Sequence, residues 1–368
     1  MNKAKTIIIF LTIILIFLFL ANLVVYKALR FAFNITGLSA LLLSILTFCA
    51  LSFVISLLLG IRYYNFFTKI YSTFAMIWMG FFAYLFLASV LYILEFIWIG
   101  DSSRMFAYTL YGVAFFTTLY GIAHARKLKI KEVVIKLDNL PTEWQDKKAV
   151  WISDLHIGQI HGKKFTERVI KKIQTTSADI VFVGGDLFDG SSVKGILEKI
   201  EPFSHFKSPM GIYFITGNHE GYANINLFLQ KIKEVGINIL QNEKTIIKGM
   251  QIIGVNYIGT TKEEEFKKVL DELYIDRDIP SILLKHEPNH ILTAKEAGIN
   301  LQISGHTHKA QQWPFEYLAR LVYGRFTYGL QQFDSLQTYT SSGTGTWGPP
   351  VRVGTDAEIV VFKFKNKN

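Results

Sequence analysis

Cysteine is almost absent from this chain. The single Cys49 rules out an intramolecular disulfide and any multi-thiolate metal site, and because it lies in an apolar stretch it says nothing about redox compartment. Charge is scarce in one region only. Residues 1–123 hold seven Lys or Arg and two Asp or Glu, against thirty-two and twenty-seven in the remainder. The net charge of +10 divides evenly between these two parts. There is therefore no concentrated basic face of the kind nucleic-acid proteins carry, and the pairs Lys163-Lys164 and Lys171-Lys172 fit a solvated helix surface. No nucleic-acid partner is expected. Internal repeats are lacking too.

The charge-poor third contains four apolar stretches, at 6–26, 38–59, 74–98 and 105–123. Each is roughly twenty residues, the length that crosses a hydrocarbon core of about 30 Å. Lys3 and Lys5 before the first stretch resemble a secretory signal, but no small-residue cleavage pattern follows and three further stretches do, so it is expected to be retained. Tyr63, Tyr64, Trp98 and Tyr120 fall near the ends, as an aromatic belt would, and Glu95 is expected at an interface. Four spans put both ends of the chain on one side, with Lys3, Lys5, Arg62, Lys69, Arg126, Lys127, Lys129 and Lys131; the other side has Lys27, Arg30 and Arg104. The positive-inside rule then predicts a cytoplasmic carboxyl-terminal domain. Arg126 to Lys131 suit anionic lipid. This reading divides the chain into a transmembrane region at 1–126, a junction at 127–147 and a catalytic domain at 148–368.

Five short segments carry the chemistry: Asp154-Leu155-His156, Gly185-Asp186, Gly217-Asn218-His219-Glu220, His286-Glu287-Pro288 and Gly305-His306-Thr307-His308. Any one alone is unremarkable, since Gly-Asp is a turn and a lone His is usually structural. Together they are informative, because each follows an apolar run that reads as a buried strand: 149–152, 180–183, 212–215, 282–284 and 301–303. Side chains delivered to the carboxyl ends of successive strands are where an α/β sheet builds a site. All the donors are carboxylate, amide or imidazole, a set that suits Mn, Fe or Zn ions activating water against a phosphorus ester. Helical patterns at 165–176, 193–200, 225–235 and 263–273 alternate with the runs, which predicts a layered α/β domain.

These segments, with Ser153 before Asp154 and Lys285 before His286, resemble the calcineurin-like metallophosphoesterases over residues 149–364, and within them a bacterial YkuE/YaeI-like branch with membrane-bound members. The resemblance implies a four-layer αββα sandwich with two mixed sheets, preceded here by a four-helix all-α transmembrane region. It implies two divalent cations, one held by Asp154, His156, Asp186 and His308, the other by Asp186, Asn218, His286 and His306. Asp186 would be the bridge, because a carboxylate has two acceptor oxygens where an imidazole has one lone pair. It also implies that His219 protonates the leaving oxygen or stabilises transition-state charge, with a second-shell orienter as the competing role. Asp189, Glu220, Gln311 and Arg352 are candidates either for supporting the ligands or for contacting substrate, with a surface ion pair as the competing role for Arg352.

The pattern departs from the family after His308, where two glycines are expected and Lys309-Ala310 stand instead before Gln311. The aromatic and basic stretch 315–333 that follows is expected to be a loop, contacting an interface or packing in the core. Glycine-rich 343–350 resembles the loop that closes the site in this family. Expected overall is an integral membrane protein of a bacterial inner or plasma membrane. It would cleave a phosphoester or pyrophosphate bond, with the bilayer and a lipid or lipid-linked phosphate as partners. The branch includes a UDP-2,3-diacylglucosamine pyrophosphohydrolase of lipid A synthesis, which makes that substrate one alternative. A phosphodiesterase for small soluble esters is another, and a membrane sensor or transporter with a regulatory phosphate-binding domain a third. Oligomeric state is left open by the sequence.

Overall fold

The computed structural model describes residues 3–100, 103–190, 195–222 and 225–367. It divides into two units, Met1–Ala123 with Gly348–Val351 and His124–Trp347 with Arg352–Asn368.

The first unit is built on helices α1 (Lys3–Ala32), α2 (Ser39–Arg62), α3 (Phe66–Ile99) and α4 (Arg104–Ala125). All four are long and apolar enough to cross a membrane. Helix α3 begins at Phe66, well ahead of the expected 74. The cause is a capping box: the Asn65 side chain accepts from the Thr68 amide at 2.9 Å, and the Thr68 hydroxyl accepts from the Asn65 amide at 3.0 Å. It ends at Gly100, whose left-handed backbone (φ 76°) stops the helix. Alanines recur in the interior, Ala21 with Val25, Leu46 and Phe82 in one cluster and Ala28, Ala32 and Ala107 with Tyr92 in another, while Phe17, Phe67 and Trp98 point outwards. Small residues between helices let their backbones approach closely in lipid.

The second unit contains two six-stranded sheets. The first sheet uses β1 (Leu128–Leu137), β2 (Lys148–Ile152), β3 (Ile180–Val183), β4 (Ile212–Phe214) and β5 (Asn238–Ile239). The second uses β6 (Glu243–Ile247), β7 (Met250–Gly254), β8 (Ser281–Leu284), β9 (Leu301–Ser304), β10 (Gly329–Phe333) and β11 (Leu336–Thr340), and the last strand, β12 (Ala357–Asn366), returns to the first. Strand order is β1-β12-β2-β3-β4-β5 in one and β10-β11-β9-β8-β7-β6 in the other. Both are mixed: β12 runs antiparallel to β2, β6 to β7 and β10 to β11, and the remaining pairs are parallel. Strand β1 pairs with β12 over its whole length, so the expected junction at 127–147 contains an integral strand of the sheet.

Alternation along the strands sets the layers, because successive side chains point to opposite faces. In β2, Val150 and Ile152 pack outward with Val169 and Ile173 of α5 (Lys163–Gln174) and Phe228 and Ile232 of α7 (Ile225–Glu234). Between these helices lies short α6 (Ile196–Ile200); the beginning of the helix expected at 193–200 falls outside the described residues. Ala149 and Trp151 point the other way and meet Ile252, Ile282, Leu284 and Ile303 of the second sheet. That sheet's far face carries Ile253 and Leu283 against α8 (Glu263–Glu272) and α9 (Ile291–Glu296). Three apolar cores thus separate four layers, helix, sheet, sheet, helix. Each fully buried large side chain contributes about 1.5–3 kcal/mol relative to exposure, and the central core alone holds Trp144, Trp151, Phe182 and Phe362.

Candidate dimetal site

The carboxyl ends of β2, β3, β4, β8 and β9 converge, and the turn after each delivers one of the five segments. The turns are tight. Asp154, His156, Asp186, His306 and His308 all adopt left-handed backbone, with φ of 55°, 48°, 49°, 68° and 49°. Non-glycine residues rarely do so, and the strain is held by the surrounding structure. Gly185 (φ 85°) has no alternative: a Cβ there would lie 2.6 Å from the Gly217 amide and 2.9 Å from His286 Nδ1.

Two donor sets result. In one, His156 Nε2 and His308 Nε2 stand 3.1 Å apart, with Asp154 Oδ1 3.6 Å from His308 Nε2 and Asp186 Oδ2 3.8 Å from His156 Nε2. In the other, Asn218 Oδ1 lies 3.2 Å from His286 Nε2 and 3.0 Å from His306 Nδ1, and Asp186 Oδ2 is 3.3 Å from His286 Nε2. Asp186 belongs to both. The donor chemistry fits cations. His286 Nδ1 can only donate to the Gly184 carbonyl (2.8 Å), which turns a bare Nε2 towards two oxygen acceptors. Acceptors facing acceptors in a dry pocket need a positive charge between them. The same oxygens draw positive charge to this place, whether a metal cation or a proton on Nε2: burial disfavours a charged His286, yet Asp186 and Asp154 lift its pKa to about 10. Burial likewise opposes ionisation of Asp186, while His286, His219 and His156 hold it well below the usual carboxylate range. Asp154 is raised to about 6 by burial, His286 opposing and Asp186 adding to the rise.

The remaining expected residues separate into those at the site and those behind it. His219 sits over the first set, its ring edge-on to His156 with centroids 4.6 Å apart. Its Nδ1 donates to the Asp189 carbonyl at 3.0 Å, so Nε2 is presented to the site, 4.0 Å from Asp186 Oδ2. Glu220 is buried and accepts from the amides of Asp186 (3.0 Å), Gly217 (2.6 Å) and Phe188 (3.2 Å), tying the second and third turns together. Burial and the charge of Asp186 raise its pKa to about 7. The Asp189 carboxylate takes the Gln159 amide, leaving its backbone oxygen to orient His219.

Two of the candidates hold backbone rather than face the site. Arg352 does not face a phosphate: it is 0% exposed, and one terminal nitrogen donates to the carbonyls of Ser342, Gly343 and Gly345, which closes the glycine-rich loop from behind. Gln311 is likewise spent on structure, exchanging two hydrogen bonds with the Trp347 backbone. The sequence reading missed Tyr257, Tyr323 and Trp347, whose rings flank His306, His306 and His219 at 6.3, 6.1 and 6.0 Å. Tyr257 had a signal, since it follows β7 as the ligand segments follow their own strands.

Lys309, Ala310 and Gln311 all hold left-handed backbone, with φ of 47°, 54° and 55°. The two expected glycines therefore correspond to positions that still need glycine's conformation, and Lys309 is retained through its ion pair with Glu316 (3.3 Å). Ala310→Gly removes a strained Cβ and is expected to stabilise by about 0.5–1 kcal/mol, raising the melting temperature by about 1–4 °C. A melting temperature lowered by this change in a thermal scan would contradict the strain.

Residues 147–310 match the Calcineurin-like phosphoesterase family. The chain is 34% identical over 244 residues to a metallophosphoesterase of Helicobacter pylori strain J99, covering 65% of each chain. It is 29% identical over 269 residues to the transmembrane protein with metallophosphoesterase domain of Danio rerio (67% of this chain, 60% of that one). It is 27% identical over 272 residues to the metallophosphoesterase YkuE of Bacillus subtilis, covering 67% and 91%. The chain thus spans less than two thirds of the length of the Helicobacter relatives it matches. The ligand segments and the two mixed sheets agree with these matches, which make residues 147–310 similar to the calcineurin-like phosphoesterases.

Proposed function

We propose that the protein is a membrane-anchored, metal-dependent phosphohydrolase that cleaves a phosphoester or pyrophosphate bond of a lipid or lipid-linked substrate. One observation carries the reaction class: a buried carboxylate, Asp186, shared by two facing sets of oxygen and imidazole donors. Asp154, His156, His308 and Asp186 would hold one divalent cation, and Asp186, Asn218, His286 and His306 the other, with Mn, Fe or Zn suited to such donors. Bound there, such ions supply Lewis acidity, which activates water and neutralises phosphoryl charge.

The chain's own groups do the rest. Glu220 fixes the backbone of Asp186 and Gly217, so the bridging carboxylate and the Asn218 turn move as one body. The His219 amide donates to Asp186 Oδ1 at 2.8 Å, which orients that carboxylate further. His219 Nε2, kept pointing into the site by the Asp189 carbonyl, is the group suited to give a proton to the departing oxygen. The lipid part of the reading is motivated by the four apolar helices. The excess of Lys and Arg at 3, 5, 62, 69 and 126–131 supports a cytoplasmic face for the domain, at a bacterial inner or plasma membrane.

Hydrolysis of bis-p-nitrophenyl phosphate by the detergent-purified full chain with added Mn tests the chemistry. His219→Ala is expected to lower kcat by about 10²–10⁴, with bound metal retained. Loss of metal along with activity would assign His219 to ligation, and unchanged kcat would remove it from the mechanism. Orientation is tested separately by alkaline phosphatase fused after residue 368: the fusion should be inactive in cells, and strong activity would place the domain on the outer face.

A further inference from the structure

The stretch expected as a loop at 315–333 contains a helix, α10 (Glu316–Tyr323), with no buried residue. Tyr317, Leu318, Leu321 and Val322 form one apolar stripe at helical spacing, and Leu321 and Val322 are 83% and 72% exposed. Four adjacent large apolar side chains in water are costly on a small enzyme surface, and such patches mark contact sites. The helix is nevertheless firmly held. Glu316 pairs with Lys309 at 3.3 Å, and the Tyr323 hydroxyl donates to Glu287 at 2.8 Å. Those anchors place the stripe beside the candidate metal site, since Glu287 follows His286 and the Tyr323 ring stands edge-on to His306. At the other donor set Trp347, 51% exposed, meets His219.

We propose that α10 and Trp347 form an interfacial docking surface that enters the headgroup zone of the chain's own bilayer and admits a lipid phosphoester laterally to the site. This rests on the phosphohydrolase reading and names how its substrate arrives. The bilayer is favoured as occupant by two observations. The last apolar helix ends at Ala125 and the first strand of the catalytic unit starts at Leu128, so a membrane holding that helix is within reach of every copy. The surroundings are also basic: Lys309, Arg320 and Arg325, the last stacked on Phe326 at 5.0 Å, outnumber the acids Glu316 and Glu287. Apolar and aromatic side chains fringed by cations suit an anionic membrane surface.

The test uses the full chain, with Cys49→Ser, reconstituted in phosphatidylcholine and phosphatidylglycerol vesicles and carrying a nitrobenzoxadiazole label at Leu321→Cys. The label is expected to shift to the blue and to be quenched by brominated lipids, whereas the same label at Lys268→Cys on α8 is not. Equal quenching at the two positions overturns the proposal. So does a blue shift that brominated lipid leaves untouched and that grows with protein density, which would assign the surface to a second copy. The double variant Leu321→Glu, Val322→Glu is expected to lower turnover of a vesicle-borne phosphodiester, relative to bis-p-nitrophenyl phosphate, by on the order of tenfold, because remote binding energy is lost. An unchanged ratio would also overturn it. Wild-type protein inactive on both esters would fail the phosphohydrolase reading instead, while the quenching result would still decide the docking surface.

Discussion

Asp186 is a carboxylate buried almost completely and surrounded by imidazoles, and the architecture of the second unit follows from keeping it charged there. Removing an ionised carboxylate from water costs several kcal/mol even after relaxation, so it must be compensated from every direction. The His219 amide donates to one oxygen, the rings of His286, His156 and His219 approach the other, and Glu220 holds the local backbone. No single element can supply that surround. It takes the ends of strands from two sheets stacked face to face, and this is why the central core between β2–β3 and β8–β9 lies directly behind the site.

The cost of this convergence appears in the backbone. Five candidate ligands in left-handed conformation, followed by Lys309, Ala310 and Gln311, concentrate strain of about 1–3 kcal/mol per residue in a few turns. Side chains that do no chemistry hold the turns in place. Arg352 gathers three carbonyls of the closing loop, Gln311 fastens Trp347, and Glu220 collects three amides. Each carries a charge or amide into the interior, and each pairs there with backbone groups that would themselves be costly to leave unpaired.

Much of this was legible in advance, and the physics explains which parts. Ligand segments could be read because each follows an apolar run, four of the five ending in a glycine or small polar turn, and strand ends are where such turns must lie. The four long helices could be read from composition alone. Packing that depends on tertiary context could not. Arg352 is polar and sits beside a phosphate-binding type of loop, so exposure was the natural expectation; its burial depends on three carbonyls that only the folded loop presents. Helix α10 carried a missed signal, the i, i+3, i+4 spacing of Leu318, Leu321 and Val322, hidden by the neighbouring aromatics. The early start of α3 was also visible, in Asn65 three residues before Thr68.

A dimetal site requires Asp186 to serve two cations at once. Metal content of the purified full chain, measured by inductively coupled plasma mass spectrometry after equilibration with Mn and desalting, addresses this without any assumption about substrate. Two ions per wild-type chain are predicted, with Asp186→Asn falling to one or none while remaining folded by circular dichroism. A folded wild type that retains fewer than two ions, or an Asp186→Asn variant that still holds both, would contradict the shared carboxylate and with it the dimetal site.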